Sequence, residues 1–271
     1  MQKTCKKGRF WGKYYKFVSK DNIAFAVITY IANGIDGLQI ITHNKSYQIS
    51  DPFAIKFNED RVNFNVDQED IKISGELKLN NLVKPKRDVM GIYRYLPIEC
   101  KHTIYAFIGD IDGILLMDNK EVSFNNGNCY IEGDAGKSFP KKYLWINGLD
   151  NNSSFTVSVA TIPLGLIKIL GHFAYLYINN KEYIFATYNF SKIKKLSKEY
   201  ILFKRFRYRL KVSFDLSKLS SYNLKAPNKG EMSRYIREAV STPTKVSLYK
   251  GKTLLYEKSY PNSSLENVGI I

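Results

Sequence analysis

Cysteine is scarce in this chain of 271 residues: Cys5, Cys100 and Cys129 stand alone, with no C-x-x-C pair. An odd, scattered set excludes a disulfide framework and a structural zinc site. Histidine is as sparse, at His43, His102 and His172 only, and no two stand at metal-ligand spacing, so no metal is expected. Sustained 3.6-residue periodicity is nearly missing, which removes helical bundles and long coiled coil. The most apolar stretch, Val157 to Ile178, is interrupted by Pro163, Gly165, Lys168, Gly171 and His172, so no membrane-spanning helix is expected. The basic opening, Met1 to Lys7, lacks the apolar run of a secretory signal, and a cytoplasmic chain is the expectation. P-loop, GxGxxG, GxSxG and HExxH patterns are missing as well, which leaves no anchor for nucleotide, serine-hydrolase or zincin chemistry and no expected cofactor.

Aromatic residues are plentiful, with 20 Tyr and 16 Phe, and apolar residues make up 44%. That is enough to bury a sizeable core and excludes disorder. The net charge is +16, from 41 Lys and Arg against 25 Asp and Glu. Such a surplus suits an anionic partner, nucleic acid or an acidic membrane surface; it equally suits a Lys- and Asn-rich composition without a binding role.

Short β-rich segments separated by turn residues dominate the chain. Ala24 to Ile31 closes at Asn33-Gly34, and Gly37 to Thr42 follows. Ile73, Gly75, Leu77 and Leu79 alternate with polar residues, the period of a half-buried strand. Thr103 to Ile108 is expected to end at a turn at Asp112-Gly113, and Ile114 to Met117 to pair with Glu121 to Phe124. Phe173 to Ile178 pairs with Glu182 to Thr187, and Lys245 to Tyr249 with Thr253 to Lys258. Glu231 to Val240 is the best helical segment. The reading is an all-β fold of many hairpins, a barrel or two packed barrel-like halves. The polar break Lys84-Pro85-Lys86-Arg87-Asp88 is the expected boundary region, dividing an N-terminal half, 1–95, from a C-terminal half, 96–271. No internal repeat is visible.

Three clusters carry chemistry. If Cys129 to Asp134 is extended, Tyr130, Glu132 and Asp134 share a face, with Tyr143 and Trp145 on a neighbouring strand. Two carboxyls in an aromatic cavity would hold one proton as a general acid; at a turn, they would pair with Lys137, Lys141 or Lys142. In Glu99-Cys100-Lys101-His102, alternation puts Cys100 with His102. His102 is placed either as a proton carrier beside Glu132 or in the core, and Glu99 with the ligand-binding residues. Finally, Arg205, Arg207, Arg209 and Lys211 alternate with Phe206, Tyr208 and Leu210, which reads as one cationic strand face over an apolar one. This pattern fits a face docking on an anionic membrane, or a solvated edge, better than a stacking platform for nucleic acid.

The block Gly127 to Asn147, containing Tyr130-Ile131-Glu132-Gly133-Asp134-Ala135-Gly136-Lys137-Ser138-Phe139-Pro140 and then Tyr143-Leu144-Trp145, resembles the tocopherol cyclase-like family. Phe185-Ala186-Thr187-Tyr188-Asn189 and Leu224-Lys225-Ala226-Pro227 are similar to later parts of the same family. Ala135 departs from the family pattern, which has an aromatic residue there. The resemblance implies a lipocalin-like architecture of two barrel-like halves with an apolar cavity. It implies a prenyl or other isoprenoid ligand and, in catalytic members, acid-promoted ring closure by attack of a phenol oxygen on a tertiary cation. Glu132, Asp134 and His102 would then move protons. Tyr130, Tyr143 and Trp145 would line the site, and Tyr188 and Asn189 would orient the phenol. A non-catalytic carrier of a hydrophobic ligand is the alternative.

Overall fold

The computed structural model describes residues 5–164 and 167–271. Its elements are β-strands joined by tight turns and three short 3-10 turns, with no α-helix among the described residues. The first sheet holds β1 (Phe10–Val18), β2 (Ala24–Ala32), β3 (Ile35–Thr42), β4 (Ser46–Ile49) and β5 (Ile55–Phe57). It continues with β6 (Arg61–Gln68), β7 (Ile71–Val83), β8 (Cys100–Met117), β9 (Lys120–Ser123) and β10 (Gly127–Gly136). The second holds β11 (Tyr143–Asp150), β12 (Ser153–Leu164), β13 (Ile167–Ile178), β14 (Lys181–Ala186) and β15 (Lys192–Leu196). It is completed by β16 (Tyr200–Arg205), β17 (Tyr208–Phe214), β18 (Tyr222–Asn228), β19 (Glu231–Lys250) and β20 (Thr253–Val268).

The sheets share one topology. In the first, the order is β4-β3-β2-β1-β10-β8-β7-β6-β5; in the second, β14-β13-β12-β11-β20-β19-β17-β16-β15. Each opens with a four-stranded meander, and each closes by laying its last strand against its first. Two curled antiparallel sheets of this kind make a lipocalin-like, two-barrel, all-β fold. The repeat that the sequence does not show is therefore present in the chain's path.

The division between the sheets falls in the link between Gly136 and Tyr143. The polar segment at Lys84 to Asp88 only connects β7 to β8, and residues 96–136 pair with the N-terminal sheet, through β8 and β10, instead of with the C-terminal half. Two further expectations are corrected. Glu231 to Val240 is not helical but the first half of β19: Ile236 and Glu238 point inward, while Glu231, Ser233, Tyr235 and Arg237 are exposed. Charged residues on the inward face disguise the period of two. Nor does the chain turn at Asp112-Gly113: β8 runs through it, and at Gly113 a φ of +147° and a Cβ position 2.2 Å from the Glu76 carbonyl oxygen require glycine.

Alternation along the central strands sorts side chains into three large cores, with a small fourth cluster at Phe10, Tyr30 and Ala32. Tyr15, Phe17, Cys129 and Ile131 fill the interior of the first sheet, and Leu144, Ile146 and Leu265 that of the second. The opposite faces, carrying Tyr14, Tyr130, Tyr143, Trp145 and Phe173, pack sheet against sheet in a third core. Strands β1, β10 and β11 are thus largely buried on both faces, so the polar residues they carry, such as Lys16 and Glu132, are buried with them. The cavity lies in this shared core.

Candidate active site between the two sheets

On the wall formed by the first sheet, β10 carries Glu132 and Asp134, and β8 carries His102 directly opposite Asp134. Gly133 between the two carboxylates has no room for a side chain, because a Cβ would lie 2.6 Å from the Gly12 carbonyl oxygen on β1. His102 Nε2 stands 3.1 Å from Glu132 Oε2, at ion-pair distance though off the hydrogen-bonding line. Its Nδ1 is 3.1 Å from Asp134 Oδ1. Burial pulls the imidazole toward neutrality, but the charges of Glu132 and Asp134 together outweigh it and push His102 up to about 10. A buried imidazolium clamped by two carboxylates results.

The surroundings hold this clamp in place. Glu132 Oε2 accepts the Tyr130 hydroxyl and, at 3.2 Å, the Trp145 indole N–H. Thr156 in turn donates to the Tyr130 hydroxyl at 2.9 Å. Cys100 Sγ donates to Asp134 Oδ1 at 3.3 Å. Arg94, in the 3-10 turn Gly91–Tyr95, is paired with Asp88 at 2.7 Å and donates to the carbonyl of His102 itself. The ligand atoms of His102, Glu132 and Asp134 lie within 4.8 Å of one another, near enough to share a cation. The two ring nitrogens, however, each face a different carboxylate, an arrangement made for a proton on each nitrogen rather than a metal on one.

The second sheet contributes a separate acidic centre. Glu238 on β19 and Glu266 on β20 are cross-strand neighbours. Tyr14 donates to Glu238 at 2.7 Å, and Tyr143 donates to Glu266. Burial pushes both carboxyls up, and for Glu266 the charge of Glu238 adds to that. Tyr14 also shares a hydrogen bond of 2.8 Å with Ser264, which accepts from Lys16 Nζ at 2.9 Å. Lys16 is fully buried and pushed down to about 7 by burial, against the pull of Glu238 and Glu132.

Both centres reach one apolar cavity, lined by Glu132, Asp134, His102, Tyr143, Trp145 and Glu266 among others. Glu99 and Tyr188 line it too. Tyr188 shares a hydrogen bond of 2.8 Å with Tyr175. A second histidine on the cavity wall, His172, is pushed down to about 4 by burial and is neutral. Of the residues singled out in the sequence, two stand elsewhere. Tyr130 lies behind Glu132, its hydroxyl spent on Glu132 and Thr156. Asn189 closes a turn, accepting from the Ala186 N–H at 2.9 Å and donating to the Ile184 carbonyl at 3.1 Å. Glu132 and Asp134 pair with His102, not with Lys137, Lys141 or Lys142.

The cationic row is broken by a turn. Arg205 ends β16, Phe206 and Arg207 form the turn, and Arg209 and Lys211 lie on β17. Arg205 shares its sheet face with Phe203 and donates to the Ile184 carbonyl at 3.2 Å, so it leaves the row. Phe206, expected on an apolar face, is 71% exposed at the tip.

Sequence reasoning did not single out Lys16, Tyr14, Arg94, Glu238 or Glu266. Glu238 and Glu266 each carried a signal, an acidic residue within a run otherwise destined for the core: Ile236 to Val240 and Ser263 to Val268.

No family model and no curated protein matches this sequence. The structure is similar to kievitone hydratase from Nectria haematococca, with a TM-score of 0.52 at 8% identity over 96% of this chain and 89% of that one. It is similar to an AttH-like protein of Nitrosomonas europaea, with a TM-score of 0.51 at 9% identity over 97% and 92%. CghA, solved with Sch210972, gives a TM-score of 0.55 at 10% identity over 96% and 88%. These likenesses place the chain, by architecture, among the lipocalin-like two-barrel proteins. Among the described residues no helix is long and apolar enough to cross a membrane.

Proposed function

We propose that the chain binds a prenylated phenol or related isoprenoid in the cavity between its sheets and closes a ring on it without a cofactor, the reaction type of the tocopherol cyclase-like family. The observation that carries this reading is the buried His102 clamp, an acid–base group set in an otherwise apolar, aromatic wall. The similarity of the Gly127 to Asn147 block to that family supports it. So does the fold, since one protein that shares it is a hydratase and another is solved with a small molecule.

Ring closure of this type adds one proton to a prenyl double bond, forms one C–O bond as the phenol oxygen captures the tertiary cation, and releases the phenol proton. Nothing else enters or leaves. The step needs a dry cavity, aromatic faces for the cation and a base for the phenol. Tyr14, Trp145, Tyr143 and Phe173 supply the faces. Glu132 takes the phenol proton: its carboxylate is aimed by Tyr130 and Trp145 and balanced by His102. Asp134 keeps the His102 ring in place, and Tyr188 with Tyr175 orients the phenol.

Loading from a bilayer would use the hairpin tip at Phe206, with Arg207, Arg209 and Lys211 beside it, against an anionic surface. The test is incubation with a geranylgeranylated methylhydroquinone, comparing wild type with Glu132→Gln. The wild type should form the chromanol, and the variant should lose about 100-fold or more in turnover with binding kept. Binding without turnover in the wild type would make the chain a carrier.

A further inference from the structure

The mechanism above leaves unnamed the group that protonates the double bond, and the molecule contains a buried acidic pair with no assigned task. Glu238 and Glu266 face each other across β19 and β20, their carboxyls within hydrogen-bonding reach of one another. Tyrosines occupy one oxygen of each: Tyr14 donates to Glu238 Oε1 and Tyr143 to Glu266 Oε2. Glu238 Oε2 is buried and, among the described residues, receives no N–H or O–H from any donor. An orphaned carboxylate oxygen in a core is costly, because it has lost its water and gained no donor in return. The carboxyl beside it removes that cost if it carries a proton and donates it. Two carboxyls in contact in a dry site share one proton for the same reason as in other acid dyads.

Position gives the proton a use. Glu266 reaches the cavity that holds Trp145 and Tyr143, and Trp145 links it to the Glu132 clamp, as the cross-strand neighbour of Glu266 and the hydrogen-bond donor to Glu132. Behind the dyad runs an unbroken chain of hydroxyls. Lys16 Nζ donates to Ser264 Oγ at 2.9 Å, Ser264 and Tyr14 share a hydrogen bond of 2.8 Å, and Tyr14 donates to Glu238 at 2.7 Å. The charged and titratable groups around the dyad are Lys16 and Tyr14 on β1, Glu132 on β10, Tyr143 on β11 and Arg234 on β19. Arg234 itself is turned to the carbonyls of Pro140 and Lys141.

We propose that Glu266 is the proton donor of this cavity, sharing its proton with Glu238 and being reloaded through Tyr14, Ser264 and Lys16. This rests on the ring-closing function given above. In the step, the Glu266 O–H bond breaks as a C–H bond forms on the prenyl chain, leaving a tertiary cation and a Glu266 carboxylate. The phenol oxygen closes the C–O bond, and its proton passes to Glu132 and on to solvent. One proton from Lys16 restores Glu266, and Lys16 regains one from solvent, matching the one that Glu132 released, so the cycle is a net isomerisation. Donor and base stand on opposite sheets with the substrate between them.

Two readouts test this. Infrared difference spectroscopy at pH 7 should show the C=O stretch of a neutral carboxylic acid in the wild type and in Glu132→Gln, and no such band in the Glu238→Gln/Glu266→Gln double variant. A wild type without the band overturns the proposal whatever its activity. With the geranylgeranylated methylhydroquinone, Glu266→Gln should lose about 100-fold or more in kcat with KM nearly unchanged. Full activity in Glu266→Gln overturns the donor role while leaving the function intact. A wild type that shows the band but no turnover fails the function and, with it, the donor role, and leaves the dyad only as a neutral pair in the core.

Discussion

Trp145 lies opposite Glu266 on the second sheet, yet its indole N–H goes to Glu132 on the first, at 3.2 Å. Tyr14 does the reverse: it lies opposite Glu132 and gives its hydroxyl to Glu238. The two rings meet edge to face with centroids 5.3 Å apart. This crossed pair ties the sheets together and puts aromatic rings between the two acidic centres, the environment a transient cation requires.

Replacing Trp145 with Phe keeps a ring against Tyr14 but removes the N–H. Glu132 then loses one buried donor, and we expect a fall of about 1–3 kcal/mol in unfolding free energy. Urea denaturation with an unchanged m-value measures it. Unchanged stability would mean that the indole bond is not formed.

His102 and Lys16 make opposite contributions to stability against pH. His102, raised to about 10 from an ordinary 6.5, contributes stability that is complete below about 6.5 and lost as pH rises through 10. Lys16, lowered to about 7 from 10.5, carries a penalty below 7 that is relieved as pH rises toward 10.5. Between pH 7 and 9.5 the two slopes oppose, so the wild type should lose stability less steeply than a variant without Lys16. Lys16→Met removes only the relief. That variant should lose roughly 3 kcal/mol over the same range, at about 1.4 kcal/mol for each pH unit. A flat variant would contradict the charged state of His102.

The dyad has its own signature. Glu266 is held well above its ordinary 4.5 by burial and by Glu238, so the wild type gains from it below 4.5 and loses as pH rises. Gln cannot ionise, and it keeps an oxygen for Tyr143. Glu266→Gln should therefore gain in Tm relative to wild type between pH 4 and pH 8. A difference independent of pH would show that the pair binds no extra proton.

At the hairpin tip, the triple variant Arg207→Ser, Arg209→Ser and Lys211→Ser should weaken co-sedimentation with anionic vesicles without affecting the fold, since each cation near such a surface contributes about 1 kcal/mol. Arg205→Ser should instead lower stability, because Arg205 holds the Ile184 carbonyl. Equal binding of the triple variant and the wild type would remove the docking role.

Alternation and turn residues made most strands legible, because a half-buried strand must show a period of two; Asn33-Gly34 and Asn179-Asn180 turn the chain where expected. Alternation made legible that Glu132 and Asp134 share a face, but not that β8 lies beside β10 and sets His102 between them. The boundary near residue 95 was not legible, since a polar proline segment marks any loop, and strand pairing between β8 and β10 is decided by contacts distant in sequence. Nor was the Glu238 and Glu266 pair. Each stands as an acidic residue in a buried run, but nothing in the sequence pairs the two strands or brings up their hydroxyl partners, which lie far off along the chain, as Tyr14 does from Glu238. The single strand expected over 203–211 failed because Phe206 takes a left-handed turn position, φ 51°, that the alternating sequence hides.

The most direct test of the central claim is incubation of the wild type with geranylgeranylated methylhydroquinone in heavy water, followed by mass spectrometry of the product. Protonation of the double bond by an exchangeable acid in the cavity predicts a chromanol carrying a single solvent deuterium on the new ring, and its loss in Glu132→Gln and in Glu266→Gln. A chromanol without deuterium, or the same labelled yield from both variants as from the wild type, would contradict the account.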